Sequence, residues 1–454
     1  VVGAEVTATN AATGVVYKAV STDSGTFVFH ALPPGPYRVS CQLSGFKRFE
    51  QSGVLLDTGF VRTVNIRLEV GEVTEVVEVQ ASTPLLESEA ATVGQLVARS
   101  TLLNMPMASR RTASLVRLVG GVAYHSEGGG AEQLPFFTMG GGRARNQNWQ
   151  LDGVNIQNNA IGNAQVMFNP PSETIEEFKV EMSNYSADLG RSGGGFIQLT
   201  TRMGTNQFHG AAYEFLRNDK LDARTFFSPT KAPLRYNIFG ATLGGPVMRN
   251  KTFFFFNYEG ARYRIGQTLS SDEVPHPADR EGNFSNRRDV NVLDPASRQP
   301  FPGNIIPISR QDPIARELVK FYPLPNVAGS DMTRAPRDNF ARNGVDLTDI
   351  DWFTTRLDHN LNNNNRIFGR LIIGKSIHNN VIVYPDRIAD PRGEFQDPRT
   401  YTVAVSWHRS LRPSLFNELR FNVLRAPQSQ TSFGNGSGVN GRLGLKGVDP
   451  DKFP

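Results

Sequence analysis

Few residues in this chain have the types and spacing for covalent chemistry. Gly190-Arg191-Ser192-Gly193-Gly194 has the GxSxG spacing of a nucleophile elbow, where a serine on a strained turn attacks a carbonyl. An elbow needs a strand before it and a helix after it. Here Phe196-Ile197-Gln198-Leu199-Thr200-Thr201 follows, which alternates like a strand, so the glycines predict a tight turn instead. None of the 7 histidines falls in HExxH, and the glycine clusters at 128–130, 140–142 and 193–195 lack the Lys-Ser/Thr ending of a phosphate loop. Cys41 is the single cysteine, which excludes an intrachain disulfide framework and a CxxC metal site. No catalytic residue, metal site or cofactor is expected, and the chain does not read as an enzyme.

The remaining ionisable residues sit in alternating segments. Tyr401, Val403, Val405 and Trp407 share one face, opposite Thr402, Ala404, Ser406 and His408. Leu415, Leu419, Phe421 and Val423 oppose Glu418, Arg420 and Asn422. Phe353, Thr355 and Leu357 oppose Thr354, Arg356 and Asp358. Ile367, Gly369, Leu371 and Ile373 oppose Arg366, Phe368 and Arg370. Each segment has one apolar face and one bearing ionisable groups, over about the ten residues that a tilted membrane strand needs. In the run Phe253–Phe256, Phe254, Phe256 and Tyr258 are placed toward lipid, and Phe253, Phe255, Asn257 and Glu259 toward a filled lumen.

Seven strands are expected near 207–217, 235–246, 252–262, 351–361, 365–374, 400–409 and 414–425. The links between them alternate strictly. Short turns fall at Arg249-Asn250, Asn362-Asn363-Asn364 and Leu411-Arg412-Pro413; long loops fall at 218–234, 263–350 and 375–399. An outer-membrane barrel sorts its connections this way, whereas a soluble sandwich has no reason to.

Composition sets the outer bounds. The 454 residues suggest about three folding units. Charged residues are 20% and hydrophobic ones 39%, which argues against disorder throughout. A net charge of +5 gives no nucleic-acid footprint. No apolar run reaches the roughly 18 residues of a membrane helix. The chain opens without Met or an apolar signal region, so a secretory signal is expected upstream of Val1. Before residue 70, Phe27-Val28-Phe29, Tyr37-Arg38-Val39 and the alternating Val64, Ile66, Leu68 and Val70 predict a small β-sandwich, with Leu32-Pro33-Pro34-Gly35-Pro36 as a turn. From 84 to 203 an α+β domain is expected. It has short helices over 96–103 and 114–119, a helical turn capped by Ser172, and strands at Trp149–Leu151 and Phe178–Val180.

These residues resemble the TonB-dependent outer-membrane receptors, in particular the Oar-like group with an N-terminal carboxypeptidase-regulatory-like domain. Thr22-Asp23-Ser24-Gly25-Thr26-Phe27-Val28-Phe29, Leu32-Pro33-Pro34-Gly35-Pro36-Tyr37-Arg38-Val39 and Gly45-Phe46 carry the resemblance for residues 1–70, a transthyretin-like sandwich trimmed at its first strand. Within the linker 71–83, Glu75-Val76-Val77-Glu78-Val79 is similar to a TonB box, an extended segment able to add to a partner's sheet edge. The same five residues also suit the last strand of the sandwich. Residues 84–203 resemble the plug through Gly142-Arg143, Trp149-Gln150-Leu151-Asp152-Gly153-Val154, Ile175–Val180 and Tyr185–Gly195. Gly204–Gly210 marks the crossing into the barrel, residues 204–454. Asp294–Pro307 and Asp312-Pro313-Ile314-Ala315 are similar to an external loop of the group, with Asp312 as a helix cap.

The resemblance implies a mainly β chain: a sandwich, a small α+β plug, and the first strands of a 22-stranded antiparallel barrel whose remaining strands lie outside this chain. Arg143, Asp152, Arg191 and Glu259 are the implied plug–barrel contacts, with Asp152-Gly153 also a hairpin-turn pair. The implied function is import of an unidentified ligand across the outer membrane of a Gram-negative cell. TonB and its inner-membrane energising complex would be the partners, besides outer-membrane lipid. The alternative is an outer-membrane adhesion or surface-organisation protein that binds carbohydrate or protein without transport.

Overall fold

The computed structural model describes residues 1–72, 76–80, 93–107, 110–126, 136–144, 146–158, 165–166, 168–183, 185, 189–190, 192–224, 231–379, 384, 386, 388, 390, 394–412, 415–427 and 429–449. Three larger sheets follow one another along the chain. The first joins β1 (Glu5–Asn10), β2 (Val16–Val20), β3 (Gly35–Gln42), β4 (Arg48–Leu56) and β5 (Val76–Gln80) in the order β2-β1-β3-β4-β5. Its strands are antiparallel except β5, which runs parallel to β4 with Val76 opposite Arg48 and Gln80 opposite Ser52. Ala4, Val6, Val39, Cys41 and Phe49 form its core, covered by Phe27, Phe29, Val64, Ile66 and Leu68. These covering residues alternate as a strand should, but segments 26–30 and 61–68 lie extended without joining a ladder. Alternation reports only that one face is covered; a ladder also needs a neighbouring strand about 4.8 Å away. A cavity of about 970 Å³, lined by both segments and by the sheet, lies over this core.

The central domain contains β6 (Val93–Ala98), α1 (Arg99–Asn104), a 3-10 segment (Thr112–Leu118), the hairpin β7 (Val122–Ser126) and β8 (Phe136–Met139), β9 (Asn148–Leu151) and β10 (Val154–Asn155). The ribbon β11 (Gln157–Asn158) and β12 (Gln165–Val166) then leads to β13 (Ile175–Ser183) and β14 (Phe196–Thr201). Its sheet has the order β10-β9-β14-β13-β6, with β14 parallel to β9. Two local expectations differ. The helix expected over 96–103 starts only at Arg99, because 93–98 pairs with β13. Ser172 caps no helix: it opens a three-residue turn, its hydroxyl meets Thr112 and donates to the Arg110 carbonyl, and Glu176 and Glu177 lie in β13.

The large sheet holds β15 (His209–Asn218), β16 (Leu234–Met248), β17 (Thr252–Asp272), β18 (Phe340–Asn362), β19 (Asn365–Asn379), β20 (Glu394–Gln396), β21 (Arg399–Arg412), β22 (Leu415–Arg425) and β23 (Gln430–Ser432). Antiparallel pairing runs from β15 through β19 to β21 and β22; β20 and β23 extend the long-loop end. Among the described residues β15 and β22 have one partner each, so the sheet is open. The links 249–251 and 363–364 are short, and 413–414 lie outside the described residues.

Strands β17 and β18 run well beyond 252–262 and 351–361, which shortens the loop between them to 273–339. Beyond Gly260 the outward face turns charged, with Arg262 bonded to Asp351 at 2.9 Å and Arg264 to Asp349 at 2.6 Å. Charge replaces the outward apolar row there, which hid these extensions from periodicity, although Ala261, Tyr263 and Ile350 continue the buried inward face. Within 273–339, α2 (Pro277–Arg280) and α3 (Pro313–Leu318) are helical. Asp312 caps α3, accepting from the Ile314 and Ala315 amides at 2.7 and 3.2 Å.

The two faces of the large sheet separate as the alternation requires. Phe256, Phe353, Leu357, Leu371, Ile373, Val403 and Val405 face outward and are exposed. Phe253, Phe255, Asn257, Thr354, Arg356, Asp358, Arg370, Thr402 and Ser406 face inward and are buried. Tyr258, Phe353, Ile373 and Tyr401 stand in register across four strands, an outward row at the level where apolar residues give way to Arg262 and Asp351. The central domain covers the inward face. Trp149, Leu151, Ile175 and Phe178 belong to one buried cluster with Tyr236, Ile238, Trp352 and Ile372.

Candidate functional site

Local turn chemistry creates the junction between the central domain and the large sheet. Asp152 and Gly153 join β9 to β10 with φ of 51° and 74°, the left-handed pair of a type I′ hairpin. That turn projects Asp152 toward the inward faces of β18 and β19. Its carboxylate accepts from the Thr201 amide and hydroxyl, both at 2.9 Å, from Arg356 Nη1 at 3.3 Å, and from Arg370 Nη1. Asp152, Arg356 and Arg370 side chains are 4%, 7% and 0% exposed.

Each arginine is held by more than the shared acid. Arg356 grips Asp358 with Nε and Nη2 at 2.8 and 2.9 Å, and donates to the Thr201 carbonyl at 3.0 Å. Its guanidinium carbon stands 4.5 Å from the Phe368 ring centroid. Arg370 also donates to the Leu151 carbonyl at 3.2 Å. Arg370 Nε and Nη2 are buried without a partner among the described residues. Asp152 is therefore the acid that compensates its charge. On the other side of the turn, Arg420 of β22 donates to the Gly153 carbonyl at 3.2 Å. Burial works against the ionised Asp152, but the Arg370 and Arg356 guanidiniums and the Thr201 donors outweigh it and hold the carboxyl below its usual range.

Of the other three residues expected at plug–barrel contacts, Arg143 is exposed and pairs with no acid among the described residues. Arg191 lies outside the described residues. Glu259 is half-buried on β17, where its Oε2 accepts from the Tyr213 hydroxyl at 3.0 Å. The structure thus brings Asp152, not Arg143, against the large sheet. Its partners Arg356, Arg370 and Arg420 were not singled out beforehand. Their one signal was placement on the face that carries ionisable groups.

Of the residues resembling a TonB box, Glu75 lies outside the described residues. Val76, Val77, Glu78 and Val79 form most of β5. The segment is thus the edge strand of the first sheet, with β4 on one side and no strand on the other among the described residues. A strand with one open edge retains main-chain donors and acceptors for a further strand.

Residues 200–454 match the family described as the outer membrane beta barrel domain, and residues 1–69 match the carboxypeptidase regulatory-like domain. The TonB-dependent transporter Oar of Myxococcus xanthus is 27% identical over 296 residues, covering 61% of this chain and 26% of that protein. This chain thus spans about a quarter of the length of that relative. Among solved structures, the outer membrane transporter YddB from Escherichia coli is 10% identical with a TM-score of 0.48, covering 75% of this chain and 40% of that one. The siderophore receptor PirA from Acinetobacter baumannii is 12% identical with a TM-score of 0.40, covering 74% and 44%. Likenesses of that size carry no weight of their own.

Proposed function

The chain belongs to the outer-membrane β-barrel family, and from that premise we propose that it is the N-terminal part of a TonB-dependent receptor importing a ligand into the periplasm. Residues 1–70 are the periplasmic domain, 71–83 the linker with the TonB-binding segment 75–79, 84–203 the plug, and 204–454 the first barrel strands. The observation that carries this reading is the burial of the central domain against the inward face of the large sheet, with Asp152 ion-paired to Arg356 and Arg370. A domain so seated blocks the lumen. A filled lumen needs an external agent to move the filling, and an open-edged strand just before the plug gives such an agent a handle.

The role is mechanical. TonB would pair its own strand with residues 75–79 and transmit force from the inner-membrane energising complex; main-chain hydrogen bonds would carry that force. The deciding experiment is capture of the detergent-solubilised chain by the periplasmic C-terminal domain of TonB, with and without residues 75–79. Capture that vanishes on deletion supports the receptor. Absence of capture in both forms, with carbohydrate or protein binding retained, supports the adhesion reading instead.

A further inference from the structure

The first domain touches the central domain through the segment that follows β4. The segment Asp57–Phe60 leaves β4 as a turn, closed by the Phe60 amide donating to the Asp57 carbonyl at 3.2 Å and braced by Arg62 on Asp57 at 2.7 Å. It lies on β13 and β14. The Thr58 amide donates to Glu177 Oε2 at 2.6 Å, and the Thr58 and Thr200 hydroxyls stand 2.9 Å apart. Lys179 Nζ donates to the Gly59 carbonyl at 2.7 Å and lies 4.1 Å from the Phe60 ring centroid. Lys179 also pairs with Glu181 at 2.8 Å, with 1% and 6% of the two side chains exposed.

The same domain grips the short-turn rim of the large sheet. Asn206 donates its amide to the Ala12 carbonyl at 3.0 Å and its Nδ2 to the Thr13 carbonyl. His30 stacks on Phe416 at 5.4 Å. The domain therefore bridges the plug and the barrel rim, and the plug cannot shift against the rim while both contacts persist. These contacts are mostly single hydrogen bonds and ring contacts, and the desolvated Lys179–Glu181 pair beside them lies within the plug. Interfaces of that kind separate without unfolding either side.

Building on the receptor reading, we propose that the first domain is a releasable latch: Thr58–Phe60 pins β13 and β14 of the plug from the periplasmic side, and must come away before the plug moves. The latch is placed to sense a pull on the TonB-binding segment. β5 is hydrogen-bonded to β4, and β4 runs directly into Asp57, so tension on β5 reaches the strand that bears the latch.

The test is hydrogen exchange on the full chain in detergent, read at amides 175–183 and 196–201, beside capture by the TonB C-terminal domain. Thr58→Pro, which fits the second position of the Asp57–Phe60 turn but removes the amide given to Glu177, and separately Gly59→Val, should speed exchange of those amides about tenfold. Amides 252–262 serve as the control and should not change. Thr58→Cys with Thr200→Cys, in a Cys41→Ser background, should slow exchange when oxidised and return to normal on reduction. Unchanged exchange in the weakened variants and in the oxidised pair would overturn the latch. A variant that also loosens 252–262 has misfolded, and the reversible disulfide then decides. Capture remains dependent on 75–79 in every variant if the receptor reading holds. Loss of that dependence with the exchange shifts intact removes the receptor and leaves the latch.

Discussion

Asp152 shows which parts of a buried ion cluster a sequence displays. The Asp-Gly pair is local turn chemistry and was legible. Arg356 and Arg370 lie some two hundred residues away, and a lumen-facing arginine spells the same as a solvated one. Arg143 illustrates the converse: the resemblance implied a contact with the barrel there, and the side chain is exposed. Asp152→Asn leaves the buried Arg370 guanidinium without its acid, while Arg356 keeps Asp358, and should cost about 3–5 kcal/mol, read as a lower urea midpoint. The Asp152→Asn, Arg370→Met double variant should recover part of that loss. The carboxyl's pKa is depressed in the fold, so its contribution is complete above the ordinary aspartate range of about 3.9 and is lost only as pH falls through the depressed value. Glu177 has the opposite sign. Burial raises its carboxyl against the Thr58 donors, with Asp57 and Glu176 nearby. The docked state therefore binds the proton more tightly, and acidification through the window just above about 4.3 should strengthen docking. Limited proteolysis at 57–60 should slow from pH 7 to 5 in the native chain and not in Glu177→Gln.

Strands were legible where one face meets a cover and the other does not. β19 and β21 alternate between exposed and buried residues along most of their length, as period-2 reading requires. The reading stopped where charge interrupts the outward apolar face, as at Arg262, Arg264, Asp349 and Asp351, although Tyr263 and Ile350 stay buried on the inward face. It overreached at 61–68, where alternation is present and no ladder forms among the described residues; only Val70 bridges, to Phe46. It also could not choose between a TonB-binding segment and an edge strand for 75–79. The two are physically alike, since an edge strand is by construction a strand with room for another. Glycine positions inside strands gave no warning of what they admit. Gly374 sits opposite Trp352 on β18, and a Cβ there would collide with the indole ring. Trp352 in turn meets Phe168 of the central domain at 5.5 Å. Gly374→Val should displace the indole, cost about 1–3 kcal/mol by overpacking, and alter the near-ultraviolet circular dichroism without removing the sheet.

At the scale of the molecule, the outward apolar rows are the part that answers to a membrane. Val405 stands between Gly369 and Phe421 in the middle of such a row. Val405→Arg should cost about 2–4 kcal/mol of lipid-embedded stability, measured as weaker co-sedimentation with phosphatidylcholine vesicles. Arginine is already accommodated on the inward face, as at Arg356. The length of β17 and β18 has a further consequence. They contain 21 and 23 residues, about twice what a bilayer crossing uses, and the surplus lies at the long-loop end. About ten surplus residues, at roughly 3.3 Å each and a tilt near 40°, raise that end about 25 Å above the lipid. Segment 273–339 thus stands on a stalk rather than resting on the headgroups. In the receptor topology proposed above, an antibody fragment would close around it on an intact cell without touching the bilayer, and a peptide tag inserted at its summit would remain within reach of one.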